Sequence, residues 1–216
     1  MPLPDAVLFP GVLLPLYIFE SHYRQLLADC LEGERVFAVG LLRKGWERAG
    51  IAPEPHRIAG VGLIRTCVGQ PDGTSHVLLQ GLARVRIRRY AAAGQDRSYP
   101  VADIEPLTSL SADPAAERGS LVGMVKKLAK ARARLGVEVP KAVLDSLLAL
   151  DSPELFTDVV SHTLLDSSDE KQSLLETLDV NQRFAKLVTL LQKQIGQFEL
   201  WKTLQGRLPN KDVGSN

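Results

Sequence analysis

The sequence predicts an α+β fold: a β-rich first half carrying one short helix, then a wholly helical second half. Up to about residue 107 the apolar residues alternate, or run in short stretches broken by Pro and Gly, as strands do. From Asp113 to about Gly206 they recur at three- and four-residue spacing, as amphipathic helices do. The bases change with the pattern. Residues 1–107 hold 11 of the 16 Arg and a single Lys, and residues 108–216 hold 9 of the 10 Lys. Two subdomains follow from this, 1–107 and 108–207, with 208–216 as a disordered polar tail; compositional drift in the coding sequence explains the Arg-to-Lys change equally well.

Residues 5–19 read as two short extended pieces around the Pro10-Gly11 turn. Pro10 and Pro15 exclude a helix interior and each remove a ladder donor, so these pieces are edge strands or strand ends. Residues 20–32 then take a helical period, with Phe19, Tyr23, Leu26, Leu27, Cys30 and Leu31 on one face and Gly33 as the stop. Strand signals resume at 35–42. After a loop over 43–55, residues 57–69 and 75–90 form a hairpin around Gln70-Pro-Asp-Gly-Thr74. Gly60, Gly62 and Gly81 within it predict bends or bulges, as in a sheet curling towards a barrel. The last strand is 99–104.

In the helical half, Asp113-Pro114 is an N-cap with Pro at the first helical position. Leu121, Val125, Leu128 and Leu135 form the stripe of that helix, which Gly136 ends. Pro140 opens a second helix. Ser152-Pro153 opens a third, with Leu155, Phe156, Val159, Val160 and Thr163 inward. Ser167 to Glu170 and Asp179 to Gln182 have capping-box spacing and open the last two. The final helix carries Phe184, Leu187, Leu191, Ile195, Phe198 and Trp201 over roughly 40 Å at 1.5 Å per residue. A stripe that long needs several partners along it, or another molecule at its end.

The chain is 45% hydrophobic and 24% charged, with a net charge of +1, so it can build a core and does not attract nucleic acid or acidic membrane as a whole. Cys30 and Cys67 form no C-x-x-C pair and fit a reducing compartment. No basic stretch precedes the first apolar run, which Pro10, Gly11 and Pro15 break. The expected location is cytoplasmic, without a membrane partner.

Catalytic motifs are missing. No Gly-Lys dipeptide occurs, which excludes a P-loop. Gly60-Val-Gly62-Leu-Ile-Arg65 has Arg where a dinucleotide fingerprint needs its third Gly. His22, His56, His76 and His162 lack metal-ligand spacing. No G-x-S-x-G elbow is present. We therefore expect no catalytic residue, no metal and no cofactor. Two binding features remain. Alternation along 82–90 places Val85 and Ile87 on one face and Arg84, Arg86 and Arg88 on the other, either as a solvated edge or as an anion or nucleic-acid strip. Trp46 lies in a loop beside Lys44 and Arg48, where aromatics either contact partners or fold back.

Several stretches resemble one family, the N-terminal domain of the Lon ATP-dependent protease. Leu8-Phe9-Pro10-Gly11, Leu14-Pro15-Leu16, Ile18-Phe19-Glu20 and Tyr23 are similar to its opening. Ile58-Ala-Gly60-Val-Gly62 with Pro71-Asp-Gly73 resembles its central hairpin. Gln80-Gly81-Leu82-Ala-Arg84-Val-Arg86-Ile87 resembles its G-x-x-R-x-x-I strand. Glu170-Lys171-Gln172, Leu174-Leu175-Glu176, Asp179 and Arg183 resemble its second signature. The matches run in order over roughly residues 3–200.

The resemblance implies a six-stranded, PUA-like β pseudo-barrel followed by a helical bundle ending in a long helix. It implies recognition of unfolded or damaged proteins, and oligomer contacts. The same domain type occurs as part of cereblon. The ATPase and Ser–Lys protease domains have no counterpart here, and the last helix gives way at Gly206 to a polar end, which reads as a stand-alone domain. The expectation is a non-enzymatic binder of polypeptides or a specific protein partner, with self-association compatible. Its candidate surface is Phe9, Phe19, Trp46, Arg84, Arg86 and Arg88, with a groove where the Phe9 to Phe19 segment meets the helical half. The alternative is an RNA- or nucleotide-ligand-binding module, against which the near-neutral charge weighs; a hydrolase in its own right has the least support.

Overall fold

The structure is a computed structural model and describes residues 1–45, 54–94, 97–110, 115–134, 136 and 138–205. Its elements are β1 (Pro2–Leu3), β2 (Leu13–Ile18), α1 (Ser21–Glu32), β3 (Val36–Leu41), β4 (Ile58–Gly69), β5 (Ser75–Ala91) and β6 (Val101–Leu107), then α2 (Ala115–Ala133), α3 (Lys141–Leu148), α4 (Pro153–Leu164), α5 (Ser168–Leu175) and α6 (Val180–Gln205), in the expected order except that the extended piece before Pro10 is no strand and β1 precedes it. The Asp113-Pro114 cap, Leu135 and the tail 208–216 lie outside the described residues.

One mixed sheet of six strands organises the first half. β3, β4 and β5 are antiparallel neighbours, and β1 runs parallel to β3. β5 has 17 residues and serves two partners on its other side, β2 along its first part and β6 along its second. Among the described residues no pairing joins β2 or β6 back to β1 or β3, so the sheet is open. It is irregular at Val61/Gly62, Ile64/Thr66 and Ile87/Arg89.

The glycines of the hairpin have a second reason beside curvature. Residues 7–12 cross directly over β4 and β5. A Cβ on Gly60 would lie 2.0 Å from the Leu8 carbonyl oxygen, and one on Gly81 2.0 Å from that of Phe9. Only a bare backbone permits that approach. Gly11 N–H donates to Gly81 O and Gly81 N–H to Val12 O, both at 2.8 Å, which pins the crossing.

The crossing sends side chains to two buried clusters. Leu8 joins Ile18, Leu26, Leu27, Phe37, Val39, Ile64, Val77 and Leu79 between α1 and the sheet. Val7, Phe9 and Val12 instead join the core of the helices with Leu121, Leu128, Phe156, Val160, Phe184, Leu187 and Leu191. The first residues therefore belong as much to the helical half as to the sheet.

The helix caps follow the sequence. Ser152 Oγ accepts from Leu155 N–H, Ser167 Oγ from Glu170 N–H, and Asp179 Oδ1 from Gln182 N–H. α1 ends at Glu32 as expected, but its left-handed turn residue is Arg35 (φ 60°), not Gly33. The inward face of α4 also differs. Thr157, Asp158 and Ser161 are buried with Phe156 and Val160, and Leu155 and Val159 lie at its margins. The hydroxyls of Thr157 and Ser161 donate to carbonyls one turn back, at 2.7 and 2.6 Å, so they need no water.

Candidate functional site

Beneath the crossing lies a charged cluster in which Arg84, Asp158 and Arg183 are buried and Glu154 stands at the solvent margin. Arg84 of β5 is 2% exposed. Its guanidinium grips the Asp158 carboxylate of α4 through two bonds, of 2.8 and 2.5 Å, and its Nε–H donates to Leu175 O at 3.1 Å. Arg183 of α6, also buried, reaches Asp158 at 3.2 Å and donates to Thr177 O and to Ser109 Oγ. Glu154 completes the set, 3.5 Å from Arg84 and 3.8 Å from Arg183, and accepts from Ser109 Oγ. Two guanidiniums meet two carboxylates, so the cluster is neutral. Burial pushes the Asp158 carboxyl up, opposed by the Arg84 hydrogen bonds and by both guanidinium charges. Burial lowers Arg183.

A second polar junction sits beside it. Gln172 of α5 donates to Ile58 O of β4 and to Glu176, and Glu176 pairs with His56 at 3.0 Å. Both junctions join sheet to helices. Among the described residues no group of His, Cys, Asp and Glu is placed to hold a metal.

The surface offers something different. On the outer side of the sheet, Tyr17 of β2, His76 of β5 and Val68 of β4 stand in one row across three strands. Pro15, Leu78 and Thr66 form the next row, and Leu13 continues the face. Leu13, Tyr17, Phe19 and Val68 are 50, 50, 57 and 51% exposed. The Tyr17 ring lies 4.9 Å from His76 and 5.7 Å from Phe19. Beside Tyr17 and His76 the hairpin loop, from Gln70 to Thr74, frames an open depression. Leu200, Trp201 and Leu204, at the end of α6, are exposed as well.

The expected site residues are scattered by this structure. Phe19 is on the apolar face. Phe9 is fully buried, with the Arg84 guanidinium 6.0 Å from its ring centroid. The Arg strip is dismantled: Arg84 faces inward, while Arg86 and Arg88 share Glu105 of β6 at 3.6 and 2.5 Å. Trp46 lies outside the described residues. Where the Phe9 to Phe19 segment meets the helices lies a 340 Å³ depression, with Pro10, Leu82 and Leu155 among its lining residues. Tyr17, Leu13 and Val68 were not singled out by the sequence; the alternation of β2 around an exposed Pro15 was the available signal. Nothing local marked Asp158 as a counter-ion.

Comparison with known proteins agrees with the architecture. The profile of the ATP-dependent protease La (LON) substrate-binding domain matches residues 1–193. The Lon protease of Desulfosudis oleivorans is 26% identical over 96% of this chain, and that of Escherichia coli K12 is 28% identical over 96%. The chain spans about a quarter of the length of those relatives, 25% and 26%. Among solved structures, a Lon N-terminal domain protein from Xanthomonas campestris superposes with a TM-score of 0.62 at 24% identity, covering 88% of this chain and 95% of that one. The N-terminal domain of a Mycobacterium avium complex Lon protease gives a TM-score of 0.68 at 16% identity, covering 89% and 96%. With its profile matched from the first residue to within the long α6, the chain belongs to the family of Lon substrate-binding domains.

Proposed function

We propose that this chain binds non-native polypeptide segments, without catalysis, through the apolar outer face of β2, β5 and β4. One observation carries the reading: Leu13, Tyr17, Phe19 and Val68 stand half-exposed on one face of a sheet that is packed on its other side. Such a patch on a folded domain marks an interaction site. Aromatic rings that are already packed lose little freedom on binding. Membership in a substrate-binding family supports the same reading. We read the open sheet as an incompletely closed, PUA-like pseudo-barrel and α2 to α6 as its helical bundle, divided near residue 107.

The RNA-binding alternative is weaker than the sequence made it. One guanidinium of its strip is buried in an ion pair and the other two share Glu105. Self-association through Leu200, Trp201 and Leu204 is a further proposal; sedimentation showing only monomer at the highest soluble concentration would remove it.

The test is fluorescence anisotropy of a labelled, permanently unfolded protein titrated with this chain at low and high salt. Saturable binding that survives salt is expected. The double variant Tyr17→Ala/Phe19→Ala should weaken it at least about tenfold, near 1.4 kcal/mol, with unfolding unchanged. Steep loss of binding with salt, or an unaffected double variant, refutes the reading.

A further inference from the structure

A cleft of about 590 Å³ opens where the sheet fails to close, between β3 with α1 on one side and β6 with the end of β5 on the other. That volume is in the range of sites that enclose a ligand. Apolar side chains line it, among them Leu26, Phe37, Val61 and Ile104. Arg89 and Arg97 line it too, and among the described lining residues Asp103 is the carboxylate that opposes them.

The two walls differ in their backbone. The outer edge of β3 is already paired: Met1 N–H donates to Ala38 O at 2.8 Å, Gly40 N–H to Met1 O at 3.1 Å, and β1 continues the ladder. The other wall is β6. Its residues Val101, Ala102, Asp103 and Ile104 all line the cleft. Consecutive residues of a strand point to opposite faces. The cleft touches all four, and Arg89, Tyr90 and Ala91 of β5 besides, so it reaches round β6 and does not lie on one of its faces alone. β5 pairs with one edge of β6, and among the described residues no strand pairs with the other. Val101 and Ile104 remain 39 and 41% exposed beside it.

An unpaired strand edge along an apolar trough is a template for another strand. We propose that the cleft takes an extended polypeptide segment as an added strand on β6, with alternate apolar side chains against Leu26, Phe37 and Ile104 and a carboxylate side chain facing Arg89 and Arg97. This rests on the polypeptide-binding reading and adds to it a second surface, at which the bound chain is held by its backbone. Affinity at β6 then depends little on sequence beyond alternation, which suits a binder of many unfolded chains.

The test uses the full chain and a short labelled peptide alternating Val and Thr around one Glu. Two copies are N-methylated at alternate residues, one in each phase, which keeps the side chains and removes one pairing edge. The unmethylated peptide should bind, and one methylated copy should bind at least about tenfold more weakly. Hydrogen exchange at 101–104 should slow on binding. Ile104→Lys should weaken the peptide without shifting thermal unfolding, and Tyr17→Ala/Phe19→Ala should leave methylation sensitivity intact. Equal affinity of all three peptides, or unchanged exchange at β6 with peptide bound, overturns the added strand while leaving binding at the Tyr17 face standing. If neither the peptide nor the unfolded protein binds, both readings fall.

Discussion

Arg84 and Arg88 lie four residues apart on β5 and meet opposite fates. Arg84 is sealed under α4 and α6 against Asp158, while the Arg88 side chain is 58% exposed beside Glu105. The strand is the same and so is the residue type. Two things differ: what passes over each position, and the register, since Arg88 is the extra residue of the irregularity at Ile87/Arg89. At Arg84 the crossing segment, α4 and α6 converge, and Val85 is buried too, so both faces of the strand are covered. At Arg88 the β6 pairing offers a carboxylate but no roof. Alternation sets which side a residue points to; whether that side is wet depends on the remaining chain.

The largest effect should come from removing the shared counter-ion. Asp158→Ala leaves two buried guanidiniums without their closest partner and should cost about 3–5 kcal/mol in urea unfolding. A loss below about 1 kcal/mol would mean Glu154 and water can replace it, and the contrast with Arg88 would collapse. Next comes the roof. Gly81→Ala forces a Cβ against the Phe9 carbonyl and should cost about 3 kcal/mol, with residues 7–12 losing protection in hydrogen exchange; a variant as stable as the parent would show that the crossing yields easily.

Buried charge can also be tested by pH. Burial, with help from the Lys171 charge, holds His162 near 4 against an ordinary 6.5. The folded state then binds fewer protons than the unfolded state as pH falls. Stability is whole above pH 6.5 and is lost as pH drops towards 4. The ceiling is about 3 kcal/mol, reduced to about 1–2 for a group that is only partly buried. His162→Gln should flatten that part of the curve relative to the parent; parallel curves would refute the shift. The smallest effect belongs to Arg88→Ala, about 0–1 kcal/mol by the same unfolding assay. A loss comparable to that of Asp158→Ala would erase the distinction between the two sites.

Much of the fold was legible because its signals are local. The Ser152, Ser167 and Asp179 caps, the loop with Gly73 at φ 83° and the α6 stripe through Leu191 are all written within a few residues. The site was less legible because its decisive contacts are distant. Arg84 finds Asp158 across 74 residues, so period-2 reasoning placed it on a solvent face. Phe9 and Phe19 look alike in sequence, but one enters the helical core and the other caps the exposed face of β2. The open seam at β6 leaves no local mark, since it is defined by strands that do not pair.

The seating of residues 7–12 fixes an order of events during synthesis. These residues leave the ribosome ahead of Gly60 and Gly81, the floor on which they lie, which follow some fifty to seventy positions later. Their helical partners come later still, with Asp158, Phe184 and Leu191. At typical elongation rates of roughly 5–20 residues per second, the Val7, Leu8 and Phe9 side chains wait on the order of ten seconds without their native shelter. On the polypeptide-binding reading proposed above, the growing chain thus displays the kind of segment that the folded domain would hold, and a nascent chain halted before α4 should itself be captured by finished copies of this protein.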